Sequence, residues 1–342
     1  MTAHAPHAVV LVRPHHFRPN ELTRVDNAFQ ELPSLGAEAV AARAYDEVTA
    51  LADTLVGAGV SVHLFDDHEH DRPDSVFPNN WLTTHADGRV ALYPMHAVNR
   101  RGERRADIVE LLKRKYHVEQ VVDFSGLEHD RIFLEGTGAM VLDHQERVAY
   151  TARSLRAHPR ALDRFCTSFG YEPLLFDAAD AAGRAVYHTN VMMSVGSAVA
   201  LVGLEMITAA DDRARVTERL TATGRQVIAL SEHQVHEFAG NAIELAGREG
   251  PVLALSARAA ASLTPEQRRR IEVTTQLLPT SVPTVELAGG SVRCMIAGIH
   301  LQSRAADAGD RLPVPSLPTR SPAPHPSVEH RGSGAGIPEP TR

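Results

Sequence analysis

The segments Leu134-Glu135-Gly136-Thr137-Gly138, Tyr187-His188-Thr189-Asn190 and Gly289-Gly290-Ser291-Val292-Arg293-Cys294 decide the fold, because each puts one reactive residue at the end of a predicted hydrophobic strand. A thiol attacks only as a thiolate, so a catalytic cysteine needs a nearby proton acceptor and a group that orients that acceptor. The three segments supply a carboxylate, an imidazole and a thiol. Together they indicate an active site that is split over the chain.

An internal repeat places these segments in equivalent positions. The repeat has five units, each with an amphipathic helix, then a strand, then one unusual segment. A repeat of roughly 50 to 60 residues with strands and one helix differs from an ordinary propeller blade, which has four strands and no helix. Five such units around an axis would bring the unusual segments to one central pocket. The predicted helices are centred near Val48, Val109, Leu162, Val216 and Arg268; the predicted strands are 60–65, 118–124, 171–176, 225–230 and Ser281 to Leu287; the segments contain Phe77 to Trp81, Glu135, His188, Gly240-Asn241-Ala242 and Cys294.

Composition predicts a soluble, cytoplasmic enzyme. The chain has 342 residues, a formal net charge of -7 and a pI near 6.2, so it lacks the basic footprint of a nucleic-acid-binding protein. No stretch approaches the ~20 apolar residues that span a bilayer. The N-terminus also lacks a basic-then-apolar signal pattern. We therefore expect no nucleic-acid or membrane partner.

The chain changes character near its end. Residues 305–342 are rich in proline, serine, glycine and arginine and have almost no apolar periodicity. Such a segment cannot bury enough surface to offset the entropy of ordering it. We expect one catalytic domain over residues 1–304 and a disordered proline-rich tail over residues 305–342.

Two cysteines and nineteen histidines raise the questions of disulfides and metal. Cys166 lies in a predicted amphipathic helix, where packing is the simpler interpretation, and its context is unrelated to that of Cys294. The histidines of 68–70 and the pair His233 and His236 lack a second ligand cluster at metal-site spacing. We predict no disulfide, no metal and no cofactor.

The ordered segments resemble the pentein fold of the guanidine-modifying superfamily, which includes arginine deiminases, dimethylarginine dimethylaminohydrolases and amidinotransferases. Asp74 to Asn80 is similar to the substrate loop of that superfamily, Asn99 to Glu103 to its arginine-bearing helix start, and Ala152 to Arg156 to its Ser-x-Arg segment. The resemblance runs from about Ala8 to Leu301. It implies an α/β-propeller of five pseudo-symmetric strand-helix modules around a central pocket.

The resemblance also implies roles for individual residues. Cys294 would be the nucleophile, His188 the general acid and base, and Glu135 the group that holds His188 or a substrate nitrogen. Asp74 would pair with the α-amino group of an amino-acid substrate. Arg101 and Arg156 would be the candidates for its carboxylate, because guanidinium offers a bidentate fork. The full set of implied substrate-binding residues is Asp74, Phe77, Asn79, Asn80, Arg101, Arg156 and Asn190.

The substrate is suggested by a departure from the family pattern. Relatives that act on arginine or its methylated forms clamp the guanidinium with two aspartates, and this chain has Asn80 and Asn190 at those positions. A half-paired buried charge costs several kcal/mol, so a guanidinium should bind poorly. A neutral ureido group suits asparagine, which both donates and accepts hydrogen bonds. The pattern thus favours hydrolysis of citrulline to ornithine, carbon dioxide and ammonia.

Other functions remain open at this point. Within the superfamily, the alternatives are an arginine deiminase, a dimethylarginine dimethylaminohydrolase or an amidinotransferase. An alternative of another class is a non-catalytic pentein that only binds a ligand. The sequence implies a small-molecule amino-acid partner, is compatible with a homo-oligomer, and does not reveal which nitrogen leaves first.

Overall fold

The structure is a computed structural model that describes residues 5–304, and the predicted tail over residues 305–342 lies outside the described residues. Within the described part, fifteen strands form five sheets of three strands each. The strands are β1 (Ala8–Pro14), β2 (Ser61–Asp67), β3 (Leu82–Thr84), β4 (Arg89–Leu92), β5 (Gln120–Asp123), β6 (Met140–Asp143), β7 (Val148–Ala152), β8 (Glu172–Phe176), β9 (Met193–Val195), β10 (Val199–Val202), β11 (Gln226–Ala229), β12 (Ile243–Ala246), β13 (Pro251–Ser256), β14 (Gln276–Thr280) and β15 (Ala297–Ile299). The α-helices are α1 (Ala37–Gly57), α2 (Ala106–Lys115), α3 (Gly136–Ala139), α4 (Pro159–Phe169), α5 (Thr189–Met192), α6 (Ala210–Thr221), α7 (Glu232–His236), α8 (Ala257–Ser262), α9 (Pro265–Glu272), α10 (Pro283–Glu286) and α11 (Val292–Met295).

Each sheet is one copy of the same module. In the second module, β3 pairs with β4 in antiparallel fashion, and β4 pairs with β5 in parallel. A parallel pair needs a crossover connection, and α2 supplies it between β4 and β5. The other sheets repeat this strand, strand, helix, strand order. The predicted fold of five strand-helix modules is therefore confirmed.

The first module is built from both ends of the described chain. β15 pairs with β1 in antiparallel fashion, with Ala8 opposite Ile299, and β1 pairs with β2 in parallel. The last strand thus occupies the position that the first strand of the other modules occupies. This pairing joins the fifth module to the first and covers a sheet edge that would otherwise be free to pair.

Helix α4 shows how the sequence sets a module's outer layer. It begins at Pro159, whose fixed φ suits the first helical position, and ends at Phe169, after which the capping residue Gly170 has a φ of 67°. Its buried face is the apolar stripe expected from periodicity and includes Phe165, Cys166 and Phe169. Cys166 is 3% exposed, and burial raises its pKa to about 12. The prediction that Cys166 is a packing residue is confirmed.

The structure corrects two details of the sequence analysis. The predicted strand from Ser281 to Leu287 is wrong: the strand of the fifth module is β14, and the short helix α10 follows it. The backbone N–H groups of Thr284 and Val285 donate to the Glu47 carboxylate, which satisfies the first turn of α10. The reactive residues also do not end strands; Glu135 and His188 each directly precede a one-turn helix, and Cys294 lies within one.

A buried ion pair joins the third and fourth modules and provides a test of this architecture. Arg225 Nη1 lies 2.8 Å from Asp143 Oδ2, and both side chains are fully buried. Replacing Arg225 with Met should lower the free energy of unfolding by about 3 to 5 kcal/mol, because the buried carboxylate loses its opposite charge. Urea denaturation followed by circular dichroism measures this change. The control Arg184→Met, at a 60% exposed side chain, should leave the free energy nearly unchanged; equal losses in the two variants would contradict the assignment.

Candidate active site

The unusual segments of the five repeats occupy equivalent positions in the five modules and lie close together. Each segment lies just before the first strand of a module, in a short turn or a one-turn helix. The positions are Asn80 before β3, Glu135 before α3 and β6, His188 before α5 and β9, Asn241 before β12, and Cys294 in α11 before β15. The repeat seen in the sequence therefore becomes a single cluster at the centre of the structure.

Two glycines allow the segments to approach this closely. Gly136 has a φ of +43°, and a Cβ there would lie 2.5 Å from the carbonyl oxygen of Asn79. A Cβ on Gly138 would lie 2.3 Å from Asn80 Nδ2 and 2.7 Å from the His188 ring. Both distances are too short for a carbon atom. The glycines of the Leu-Glu-Gly-Thr-Gly segment are thus a steric requirement of the site.

The Glu135 carboxylate contacts three charged or titratable side chains and one backbone N–H group of the site. Its Oε2 accepts a 2.8 Å hydrogen bond from His188 Nε2 and lies 3.5 Å from Arg156 Nη1 and 3.6 Å from Arg100 Nη1, while its Oε1 accepts from the backbone N–H of His96. Burial alone would raise the pKa of Glu135, but the Arg156 charge and the hydrogen bond from His188 hold it well below its usual range. Burial lowers the pKa of His188 to about 4. At neutral pH the pair is therefore a carboxylate and a neutral imidazole.

The bond to Glu135 also decides the tautomer of His188. Since a carboxylate only accepts, Nε2 carries the proton. The other ring nitrogen, Nδ1, is then unprotonated and able to take a proton. His188 lines the same cavity as Cys294, as a general base for that thiol would have to do.

The sulfur of Cys294 receives two hydrogen bonds from amide side chains. Asn190 Nδ2 and Asn241 Nδ2 each lie 3.2 Å from Sγ, and Asn241 Oδ1 lies 3.4 Å from the backbone nitrogen of Cys294. Donors aimed at a sulfur stabilise negative charge as it develops there. No role of Asn241 was predicted from the sequence. Its equivalent position in the fourth repeat was the signal that could have identified it.

The cavity beside Cys294 is small and polar. Its volume is ≈ 10 Å³, about the space that one water molecule needs. Two buried acceptors, Asp74 Oδ1 and Asn190 Oδ1, have no hydrogen-bond partner among the described residues. Unsatisfied buried acceptors are costly, so a ligand with matching donors would be favoured there. The lining residues are Thr23, Asn27, Asp74, Phe77, Asn80, Arg100, Arg156, Tyr187, His188, Ala288, Gly290 and Cys294.

The segment between β1 and α1, here called the covering segment (residues 18–32), closes one side of this cavity. Asp26 binds Arg156 through both carboxylate oxygens, at 2.6 and 2.8 Å. Asn27 Nδ2 donates to the carbonyl of Ala288, and the backbone N–H of Glu31 donates to that of Leu287. These contacts hold the covering segment against the cavity, and no motif in the sequence indicated them.

Arg101, which was expected to bind the substrate carboxylate, does not lie at the cavity. The side chain of Arg101 is a third exposed, binds the carbonyl of Met95 and the carboxylate of Glu128, and does not line the cavity. Its neighbour Arg100 is 1% exposed and does line it. Arg100 lies within a 3₁₀ helix from Val98 to Glu103, where a shift of one residue changes the direction of the side chain completely.

The other expected binding residues are placed as follows. Asp74, Phe77, Asn80 and Arg156 line the cavity, whereas Asn190 does not line it but donates to the sulfur of Cys294, which does. Asn79 does not line the cavity, since its Oδ1 instead accepts from Asn80 Nδ2. The structure therefore brings together most of the expected set.

Two further expectations from the sequence concern metal binding and membrane-spanning segments. Asp180, Glu232 and His236 place potential metal-ligand atoms within 4.8 Å of one another, but all three are partly exposed. His233 is not part of that group. Among residues 5–304, no helix is both long enough and apolar enough to span a bilayer.

The chain was compared with protein-family models and with curated protein sequences. A family model described as N,N dimethylarginine dimethylhydrolase, eukaryotic, matches residues 13–301. No curated protein sequence matches the chain.

Several solved structures share the fold. The substrate-bound N-terminal domain of ArgZ, an arginine dihydrolase from the ornithine-ammonia cycle in cyanobacteria, has a TM-score of 0.67 at 16% identity over 86% of this chain and 99% of that one. AgrE in complex with L-arginine has a TM-score of 0.67 at 17% identity, over 87% of this chain and 41% of that one. A dimethylarginine dimethylaminohydrolase adduct has a TM-score of 0.59 at 14% identity, over 87% of this chain and 100% of that one. At these identities the likeness is one of fold.

The close approach at Gly138 predicts a strong effect of one methyl group. Gly138→Ala should reduce turnover by about 100-fold, because the new Cβ displaces His188 and Asn80 and a displacement of about 1 Å can cost that much. Steady-state kinetics measures the loss, and thermal unfolding shows whether the fold persists. Gly126→Ala is the matched control, since a Cβ there meets nothing within 4 Å. Unchanged turnover in Gly138→Ala would refute this packing.

Proposed function

The chain belongs to the family whose model is described as N,N dimethylarginine dimethylhydrolase, eukaryotic, within the pentein superfamily of guanidino-modifying hydrolases, and we propose that it hydrolyses the ureido group of citrulline. Family membership makes it an enzyme that acts on carbon–nitrogen bonds other than peptide bonds. The proposed products are ornithine, carbon dioxide and ammonia. The observation that carries the choice of substrate is the charge state of Glu135.

The Glu135 carboxylate already has charged and hydrogen-bonding partners, so it is poorly placed to pair with a substrate cation. Arg100 and Arg156 both lie within 3.6 Å of its Oε2, and His188 donates to the same oxygen. Burial would lower the pKa of Arg100, but the carboxylates of Glu103, Asp74 and Glu135 raise it, so this cation is permanent. A substrate guanidinium would meet a Glu135 carboxylate that is already paired, beside Arg100 and Arg156, whose charges are also paired with Glu103 and Asp26. A neutral ureido group needs no counter-charge at this place.

The unpartnered acceptors fit a citrulline-like amino acid. Asp74 Oδ1 would accept from the α-ammonium group, and this pairing would offset the burial that raises the pKa of Asp74. Asn190 Oδ1 would accept from a ureido N–H while Asn190 Nδ2 keeps its bond to the sulfur of Cys294. Arg156 would bind the α-carboxylate once the covering segment moves and Asp26 releases it.

The proposed reaction follows from the protonation states of the site. His188 Nδ1 takes the proton of the Cys294 thiol, and the sulfur attacks the ureido carbon. The tetrahedral adduct expels one nitrogen, which receives the proton from His188, and a thiocarbamate remains on Cys294. Water, deprotonated by His188, then attacks the carbonyl carbon and the C–S bond breaks. The carbamate released decomposes to an amine and carbon dioxide, so one water is consumed overall.

Hydrolysis of arginine or dimethylarginine is the second candidate. The family description favours dimethylarginine, and the shared fold of ArgZ and of AgrE with bound L-arginine favours arginine. Against both candidates stand Asn80 and Asn190, which offer no negative charge to a guanidinium. The two candidates differ in the charge of the substrate, and that difference can be tested directly.

A substrate panel tests the proposed activity. Purified protein is offered citrulline, arginine and dimethylarginine separately, with ornithine, citrulline and ammonia quantified. We expect ornithine and ammonia from citrulline and little product from the cations. Cys294→Ser should reduce turnover by at least about 1000-fold, because a hydroxyl does not replace a thiolate, whereas the control Cys166→Ser should retain it. Equal activity of the two variants would refute Cys294 as the nucleophile.

Exchange of the two asparagines tests the charge argument. Binding is measured by calorimetry in the inactive Cys294→Ser background, so that turnover does not interfere. Asn80→Asp combined with Asn190→Asp should weaken citrulline binding and strengthen arginine binding, because close charge pairs are worth ~2 to 5 kcal/mol. Asn80→Asp alone should change less, since Asn80 Oδ1 already accepts from Arg100 at 2.8 Å. Tight arginine binding before any exchange would favour the second candidate.

A further inference from the structure

A second cavity lies behind the candidate active site, here called the axial cavity. Three of its lining residues lie close in sequence to site residues: Thr137 is two positions after Glu135, Ala242 follows Asn241, and Arg293 precedes Cys294. The motif segments therefore separate two cavities, with Cys294 facing one and Arg293 facing the other. The volume of the axial cavity is ≈ 50 Å³. This space suits a few small atoms and is too small for an amino acid.

Arg293 brings a positive charge to the axial cavity, which the Glu244 carboxylate also lines. Its Nη1 donates to the carbonyl of Ile296 at 3.0 Å, and no carboxylate of the described residues forms an ion pair with it. Burial lowers the pKa of Arg293 to about 10. Arg293 is only partly buried, and an anion in the cavity would give its guanidinium a charge partner.

Ser194 provides a second open donor. It is 5% exposed, lines the axial cavity, and its hydroxyl has no hydrogen-bond partner among the described residues. Buried hydroxyl groups normally have a partner, so an orphaned one that faces a cavity indicates a missing ligand or water. Arg293 and Ser194 together present donors to one small space.

The other polar groups of the cavity wall already have partners. The hydroxyl of Thr84 donates to the carbonyl of Gly298, and the hydroxyl of Thr137 donates to the carbonyl of Asn79. The Glu244 carboxylate accepts from the backbone N–H of Ser197 at 3.0 and 3.1 Å, so its oxygens are directed at that turn. Of the groups described above, Arg293 and Ser194 are therefore the ones whose donors can be directed at a ligand.

We propose that the axial cavity binds a small planar oxyanion of the formate and bicarbonate class, held by the guanidinium of Arg293 and the hydroxyl of Ser194. A planar oxyanion matches the bidentate fork of guanidinium, and its few atoms match the volume. Because Arg293 adjoins Cys294 in the chain, a bound anion cancels the positive charge nearest to the thiol in sequence. The anion therefore slows the reaction of the thiol with an electrophile.

Direct binding is the first test, with sodium formate and sodium bicarbonate titrated as separate arms into the full-length protein by calorimetry at constant ionic strength. Arg293→Gln should weaken formate binding by at least about tenfold, because a hydrogen bond to a charged group is lost, and Ser194→Ala should weaken it by less. Arg269→Gln and Ser168→Ala, at exposed positions, are the matched controls and should bind as the unmodified protein does. Formate binding that is unchanged in both cavity variants would overturn the proposal. So would phosphate, which is larger and tetrahedral, binding as tightly as formate.

The second test uses the rate at which Cys294 is alkylated by iodoacetamide, a neutral reagent, followed by intact-mass spectrometry. Formate should slow alkylation of the unmodified protein in a saturable way and leave the rate of Arg293→Gln unchanged. A formate effect that persists in Arg293→Gln would place the anion elsewhere and overturn the proposal. Arg293→Lys keeps the charge and should keep part of the effect if Arg293→Gln fails to fold. No substrate is needed, so this result is independent of whether citrulline is hydrolysed.

Discussion

The bonds that converge on the Glu135 carboxylate hold the centre of the structure together. One oxygen of this buried carboxylate receives His188 from the fourth module and lies within 3.6 Å of two arginines, Arg100 and Arg156. Each of these contacts reaches across a module boundary or a loop. A buried carboxylate is stable only when it is paired and hydrogen-bonded. The surrounding modules must therefore hold their positions for the charge to remain buried.

The same network gives the site its chemistry. Glu135 fixes the tautomer of His188, and the two asparagines that bind the sulfur of Cys294 prepare it for negative charge. Arg100 and Arg156 flank the Glu135 carboxylate and are themselves paired with Glu103 and Asp26, and the groups left without a hydrogen-bond partner include the acceptors Asp74 Oδ1 and Asn190 Oδ1. The stabilising network and the proposed preference for an uncharged side-chain group thus have one physical origin.

Sequence patterns predicted the modules well where periodicity was strong and failed where one-residue differences mattered. Helix α4 and its buried Cys166 follow from an apolar stripe between Pro159 and Gly170. The strand predicted in the fifth repeat was misplaced. The β-branched residues around Val282 suit either a strand or the short helix that Glu47 caps. Arg100 and Arg101 look alike in sequence, and only the phase of the 3₁₀ helix from Val98 to Glu103 selects the buried one.

The sequence by itself determined the five modules and the expected reactive groups, because hydrophobic periodicity and glycine positions are local properties of the chain. Tertiary structure alone decided which polar groups are left without partners and which charges are already matched. Examples are Asn241, whose bond to Cys294 Sγ spans 53 residues, and Asp26, whose pairing with Arg156 spans 130. Such contacts depend on distances and directions between segments far apart in the chain, and no local pattern encodes them.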